Sequence, residues 1–112
     1  MLRPYQEDAG VFPREGNVNT IFDEALEIFG EEAQVRMIFE EMAELQDAIC
    51  KYYRKRCGRD KVIEERVDLH IVLKYIDRIL GITEEDIAER ERRKLQHIRN
   101  LIEQKRSTSN GE

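Results

Sequence analysis

The chain has 112 residues, 38% of them charged, with a formal net charge of −5 at pH 7. That length suits one domain with a modest core, and the acidic balance excludes a general nucleic-acid binder, which needs a basic footprint. No apolar run approaches the roughly 18 residues of a membrane span, and Met1 to Gly16 lacks the apolar centre of a signal peptide, so no membrane association and a cytoplasmic location are expected.

Met1 to Asn19 reads as an irregular segment punctuated by Pro4, Gly10, Pro13 and Gly16. A helical domain is expected over 20–105 and a polar tail over 106–112. Asn19 or Thr20 can cap a short helix from Ile21 to Phe29, with Ile21, Phe22, Ala25, Leu26 and Phe29 as its apolar face. Gly30 then breaks or bends the path.

A second helix is predicted from Glu31 to Tyr53, its stripe formed by Ile38, Met42, Leu45, Ile49, Tyr52 and Tyr53. Glu41 lies inside the edge of that stripe, Glu44 just beyond it, and Glu40 points off the arc. Arg54-Lys55-Arg56-Cys57-Gly58-Arg59 follows as a basic loop, either plainly solvated or suited to drawing in a polyphosphate. Cys50 and Cys57 flank this helix end, and neither has a histidine at zinc-ligand spacing. Reduced thiols are expected for both.

Asp60 is positioned to cap a third helix that runs to Leu80 and stops at Gly81. At about 100° per residue, Val62, Leu69, Val72, Leu73, Tyr75, Ile76, Ile79 and Leu80 share an arc of roughly 160°. Glu65 and Asp68 fall inside that same arc. Thr83-Glu84-Glu85-Asp86 is a capping-box variant that opens a fourth helix, expected to reach about Gln104. Its stripe is Ile87, Leu95, Ile98, Leu101 and Ile102, with Lys94 at the edge. His70 and His97 stand alone, and structural or surface roles are expected for them.

Two acidic pairs at i, i+3 therefore approach the interior from adjacent helices: Glu41 with Glu44, and Glu65 with Asp68. Burying an unpaired charge is costly, so such a group demands a partner. A divalent cation with hard oxygen ligands satisfies that demand. Glu40-Glu41-x-x-Glu44 followed by Glu65-x-x-Asp68 resembles the signature of the MazG-like, all-α nucleoside triphosphate pyrophosphohydrolases. The flanks Phe29-Gly30-Glu31-Glu32-Ala33-Gln34 and Val72-Leu73 are similar too, and the resemblance covers about Ile21 to Ile102.

The resemblance implies cleavage of a nucleoside triphosphate, ribose or deoxyribose, between the α and β phosphates, with Mg²⁺ or its substitute Mn²⁺. The implied metal ligands are Glu41, Glu44, Glu65 and Asp68. Glu40 or Glu44 is a candidate general base. Lys94 matches a family lysine that reaches the triphosphate, but where many members carry a basic residue three positions later this chain has His97. Apart from the resemblance, Lys51 and the Arg54–Arg59 loop are further candidates for the phosphates, and Phe22, Phe29, Gln34, Tyr52 and Tyr75 for the base.

Helix count and short connections predict an all-α bundle of about four helices. Phe39, Ile63, Val67 and Ile71 fall outside the main arcs and point to completion by homo-oligomerisation, as a dimer or tetramer. Two other classes compete. A di-iron carboxylate bundle needs Glu-x-x-His pairs, yet the residues three before His70 and His97 are Val67 and Lys94. A non-enzymatic helical interaction module would pair its interior acids with arginines such as Arg54, Arg66 or Arg99.

Overall fold

The structure is a computed structural model that describes residues 18–110, with side chains described from 20 to 109. These residues form four helices and no strand: α1 Val18–Phe29, α2 Glu31–Tyr53, α3 Arg59–Leu80 and α4 Glu84–Asn110. The all-α expectation is met. The chain divides after Gly81 into two compact units, with α1, α2 and α3 in the first and α4 in the second. Among the described residues no helix is long and apolar enough to cross a membrane.

A single residue joins α1 to α2. Gly30 has φ 90° and ψ 154°, a backbone region closed to side-chain-bearing residues without strain. Its N–H donates to Leu26 O at 3.0 Å and its carbonyl accepts from Gln34 N–H at 3.3 Å. Both bonds keep helical i, i+4 register, so the change of direction is confined to this one residue. Asn19 and Thr20, expected to cap α1, lie within it instead. The helix begins three residues before the expected Ile21. Most of the expected irregular segment lies outside the described residues.

The core of the first unit is Phe22 from α1, Ile38 from α2, and Val72 and Tyr75 from α3. Phe22 and Tyr75 meet edge to face with ring centroids 5.2 Å apart, the arrangement that their quadrupoles favour. Val72 is fully buried, which is worth about 1.5–3 kcal/mol. Ala25, Leu26, Met37, Leu69 and Ile76 pack half-buried around this centre.

The apolar stripe expected on α2 is only partly covered. Its buried residues are Gln34, Ile38, Glu41 and Ala48, while Met42, Ile49, Tyr52 and Tyr53 are exposed. Apolar residues on α2 spread over a wider arc than α1 and α3 can cover, and the covered face is the one that includes Glu41.

The α2–α3 connection is a Schellman turn. Arg56 N–H donates to Lys51 O at 2.8 Å and Lys55 N–H to Tyr52 O at 3.0 Å, with Lys55 in the left-handed region at φ 60°. Cys57 is half-buried and donates its thiol to Ala48 O at 3.5 Å. Asp60 does not cap α3. The helix opens from Gly58, whose carbonyl accepts from Lys61 N–H at 3.2 Å, and Asp60 lies in the first turn. An acid there still favours the helix through its dipole.

In the second unit, Thr83 and Asp86 form the expected reciprocal cap. Asp86 N–H donates to Thr83 Oγ1 at 3.0 Å and Thr83 N–H donates to Asp86 Oδ2 at 2.9 Å. Helix α4 extends past Gln104 to Asn110, and Thr108 Oγ1 donates to Gln104 O at 2.9 Å. Ser107 to Asn110, within the expected polar tail, are helical.

Candidate metal centre

Helices α2 and α3 bring Glu41, Glu65 and Asp68 together. One carboxylate oxygen from each lies within 4.8 Å of the others, a spacing that one cation can bridge. Glu41 is 0% exposed and Glu65 is 1% exposed, and Asp68 is half-buried at their edge. The helical spacing explains the convergence. Glu41 follows Ile38 by three residues, and Glu65 precedes Val72 by seven, so both acids stand on the faces that carry the core.

Burial, followed by the neighbouring carboxylates of Glu41, Glu65 and Glu64, pushes the Asp68 carboxyl above its ordinary range. Lys61, one turn before Glu65, places Nζ 2.9 Å from Glu65 Oε1. That hydrogen bond, and then the charge behind it, raises the lysine above its ordinary value. The other oxygen of Glu65, Oε2, is buried and has no hydrogen-bond partner among the described residues. A buried, unbonded carboxylate oxygen costs free energy unless something binds it. The donor set fits Mg²⁺ or Mn²⁺: hard carboxylate oxygens on three residues, with room in the coordination shell for water and phosphate.

The other residues expected at the site divide by position. Glu44, one turn beyond Glu41, is half-buried and lies outside the three-oxygen cluster. Glu40 is exposed. Lys51 is exposed and its ammonium is held by Asp47 at 2.8 Å. Gln34 is 3% exposed, two turns before Glu41 on the same face and about 10 Å along the axis. Its Oε1 has no hydrogen-bond partner among the described residues. Lys94 is exposed on α4, in the second unit.

Sequence reasoning did not single out Lys61. The signal was its i, i+4 spacing to Glu65, which places an ammonium within reach of an acid on one helix face. Arg54 and Arg66, candidates for holding interior acids in a non-enzymatic module, are exposed, and the ion pair of Glu65 is to Lys61. No family model, curated protein or solved structure matches this chain.

Proposed function

We propose that this protein is a Mg²⁺-dependent, MazG-like nucleoside triphosphate pyrophosphohydrolase that yields the monophosphate and pyrophosphate. The observation that carries the reading is the convergence of Glu41, Glu65 and Asp68 within 4.8 Å, with two of the three acids fully buried. Interior carboxylates of this kind reduce stability unless a cation joins them, which is how a binding site differs from a packing core.

Glu41, Glu65 and Asp68 would hold the cation. The chemistry supplied by a bound divalent ion is neutralisation of polyphosphate charge and acidification of a water molecule. Glu44 is better placed than Glu40 to accept the proton of the attacking water, being half-buried one turn from Glu41 where Glu40 is exposed. Water adds to phosphorus at the α–β bridge, the bridging P–O bond breaks, and the electron pair leaves with pyrophosphate. Lys94 is the cation that the resemblance assigns to the phosphates. Lys51, already held by Asp47, is the weaker candidate. Gln34, with a buried amide oxygen in need of a donor, suits a contact to the nucleobase.

The active form is a homo-oligomer. Phe39 on α2 is 62% exposed, and Ile63, Val67 and Ile71 form an exposed row at i, i+4, i+8 on α3. Apolar residues in such a row favour association.

The test is a panel of canonical and modified nucleoside triphosphates incubated with Mg²⁺, with pyrophosphate and monophosphate quantified. Activity is expected to vanish in EDTA and return with Mg²⁺ or Mn²⁺. Release of orthophosphate with a diphosphate product would overturn the reaction type, and full activity without metal would overturn the metal's part in it.

A further inference from the structure

We propose that Lys61 is a positioning residue that fixes how Glu65 presents itself to a metal, and so sets which divalent cation the centre prefers. The inference rests on the metal-centre reading above and adds a selectivity device to it.

The two oxygens of Glu65 are not equivalent. Oε1 accepts from the Lys61 ammonium at 2.9 Å, while Oε2 is buried and has no hydrogen-bond partner among the described residues. Lys61 is itself anchored a second time, 3.7 Å from Glu64 Oε2, and its side chain is about half exposed, so its charge stays hydrated. A carboxylate with one oxygen already accepting from an ammonium presents the other as its freer donor to a metal. Glu65 is thereby biased toward single-oxygen ligation.

That restriction discriminates between hard cations. Mg²⁺ demands six ligands in near-ideal octahedral geometry and is satisfied by a few single carboxylate oxygens plus water. Ca²⁺ takes six to eight oxygens at longer distance and commonly draws both oxygens of one carboxylate. With Lys61 on Oε1, the two-oxygen mode of Glu65 is disfavoured, and the centre is biased against Ca²⁺.

The experiment compares the full chain with Lys61→Met and Lys61→Arg. Melting temperature is followed in EDTA and then in separate titrations with MgCl₂ and CaCl₂, which give an affinity for each ion through its stabilisation of the folded state. Repulsion from the lysine charge acts on both divalent ions alike, so the ratio of the two affinities isolates the binding mode of Glu65. Lys61→Met is expected to shift that ratio toward Ca²⁺ by about tenfold, the scale of residues that orient metal ligands. Lys61→Arg, which keeps a cationic donor at Oε1, is expected to retain the ratio of the parent. Should Lys61→Met fail to fold in EDTA, Lys61→Gln serves the same comparison. A ratio unchanged in the neutral variant, whether or not both affinities rise together, overturns the inference and leaves the metal centre standing. A parent protein stabilised by neither ion overturns the metal centre as well.

Discussion

Arg78 on α3 grips Asp23 on α1 through two hydrogen bonds, Nε to Oδ1 at 2.9 Å and Nη2 to Oδ2 at 2.6 Å. This is the paired geometry that suits a guanidinium to a carboxylate, and it ties the shortest helix to the end of the third. The hydrogen bond from Arg78 comes first, followed by the arginine's charge, in lowering the Asp23 carboxyl below its ordinary value of 3.8.

The sign of the pH effect follows from that direction. A carboxyl whose folded pKa is depressed contributes stability that is fully present above its unfolded value and is lost as pH falls through the folded value. Asp23→Asn is therefore expected to lower the melting temperature slightly at pH 7. The difference from the parent should shrink below about pH 3.8 and vanish once both forms of the acid are protonated. Because the pair is exposed, raised salt should also shrink it. Paired melting curves between pH 7 and pH 3, at low and high salt, check both statements.

The acids of the metal centre are expected to behave in the opposite way. Two unit charges ~5 Å apart at an effective dielectric of ~20 repel by roughly 3 kcal/mol, part of which protonation relieves. Asp68→Asn should leave the protein in EDTA as stable as the parent or more so, whereas Glu65→Gln also gives up the ion pair with Lys61 and should gain less. Both should lose pyrophosphate release and the thermal stabilisation by Mg²⁺. A structural acid holding a cation would instead cost about 3–5 kcal/mol when removed. Melting curves with and without Mg²⁺ separate the two outcomes.

Much of this was legible beforehand, and the reasons are local. Helix α2 begins and ends where Gly30 and the basic turn required, and Thr83 with Asp86 announced α4 through cap chemistry alone. The angular position of Glu41 relative to Ile38 was enough to expect it inside, and Glu44, just past the edge, is half-buried as that position implies. Legibility failed where a pattern had two solutions. The apolar residues of α2 allow more than one buried face, and only packing against α1 and α3 selects the one that leaves Met42 and Ile49 exposed. Asp60 was a reasonable cap, but Gly58 in an extended conformation starts α3 without one. The last turn of α4 has no apolar stripe to report it, since Ser107 to Asn110 are polar and helical.

The turn between α2 and α3 carries a correctable strain. Lys55 occupies the left-handed position of the Schellman motif, where a side chain costs about 1–2 kcal/mol and glycine does not. Glycine gives back part of that through its freer unfolded chain. Lys55→Gly is expected to stabilise the protein by about 0.5–1 kcal/mol. Urea denaturation with an unchanged slope and a raised midpoint is the measurement.

Association should depend on the outer faces of α2 and α3. Light scattering at micromolar concentration is expected to give a particle heavier than the 13.3 kDa chain. Val67→Glu, which adds a charge to the exposed apolar row, should reduce that mass while far-ultraviolet circular dichroism stays unchanged. A monomer at the outset would remove oligomerisation from the proposal.

The one-residue link at Gly30 also determines how many helices the chain has. Hydrogen bonds on both sides of it already run in register, so the break between α1 and α2 lies in its backbone angles. Converted to helical angles, position 30 would fuse the two into one continuous rod from Val18 to Tyr53. Phe22 would then leave Tyr75, and the vacated seat would be open to the first helix of a second molecule. A residue at position 30 that prefers helical angles would thus make an exchange of first helices accessible. Gly30→Ala, which favours the rod both by strain relief and by helix propensity, is the change that would exchange first helices between copies.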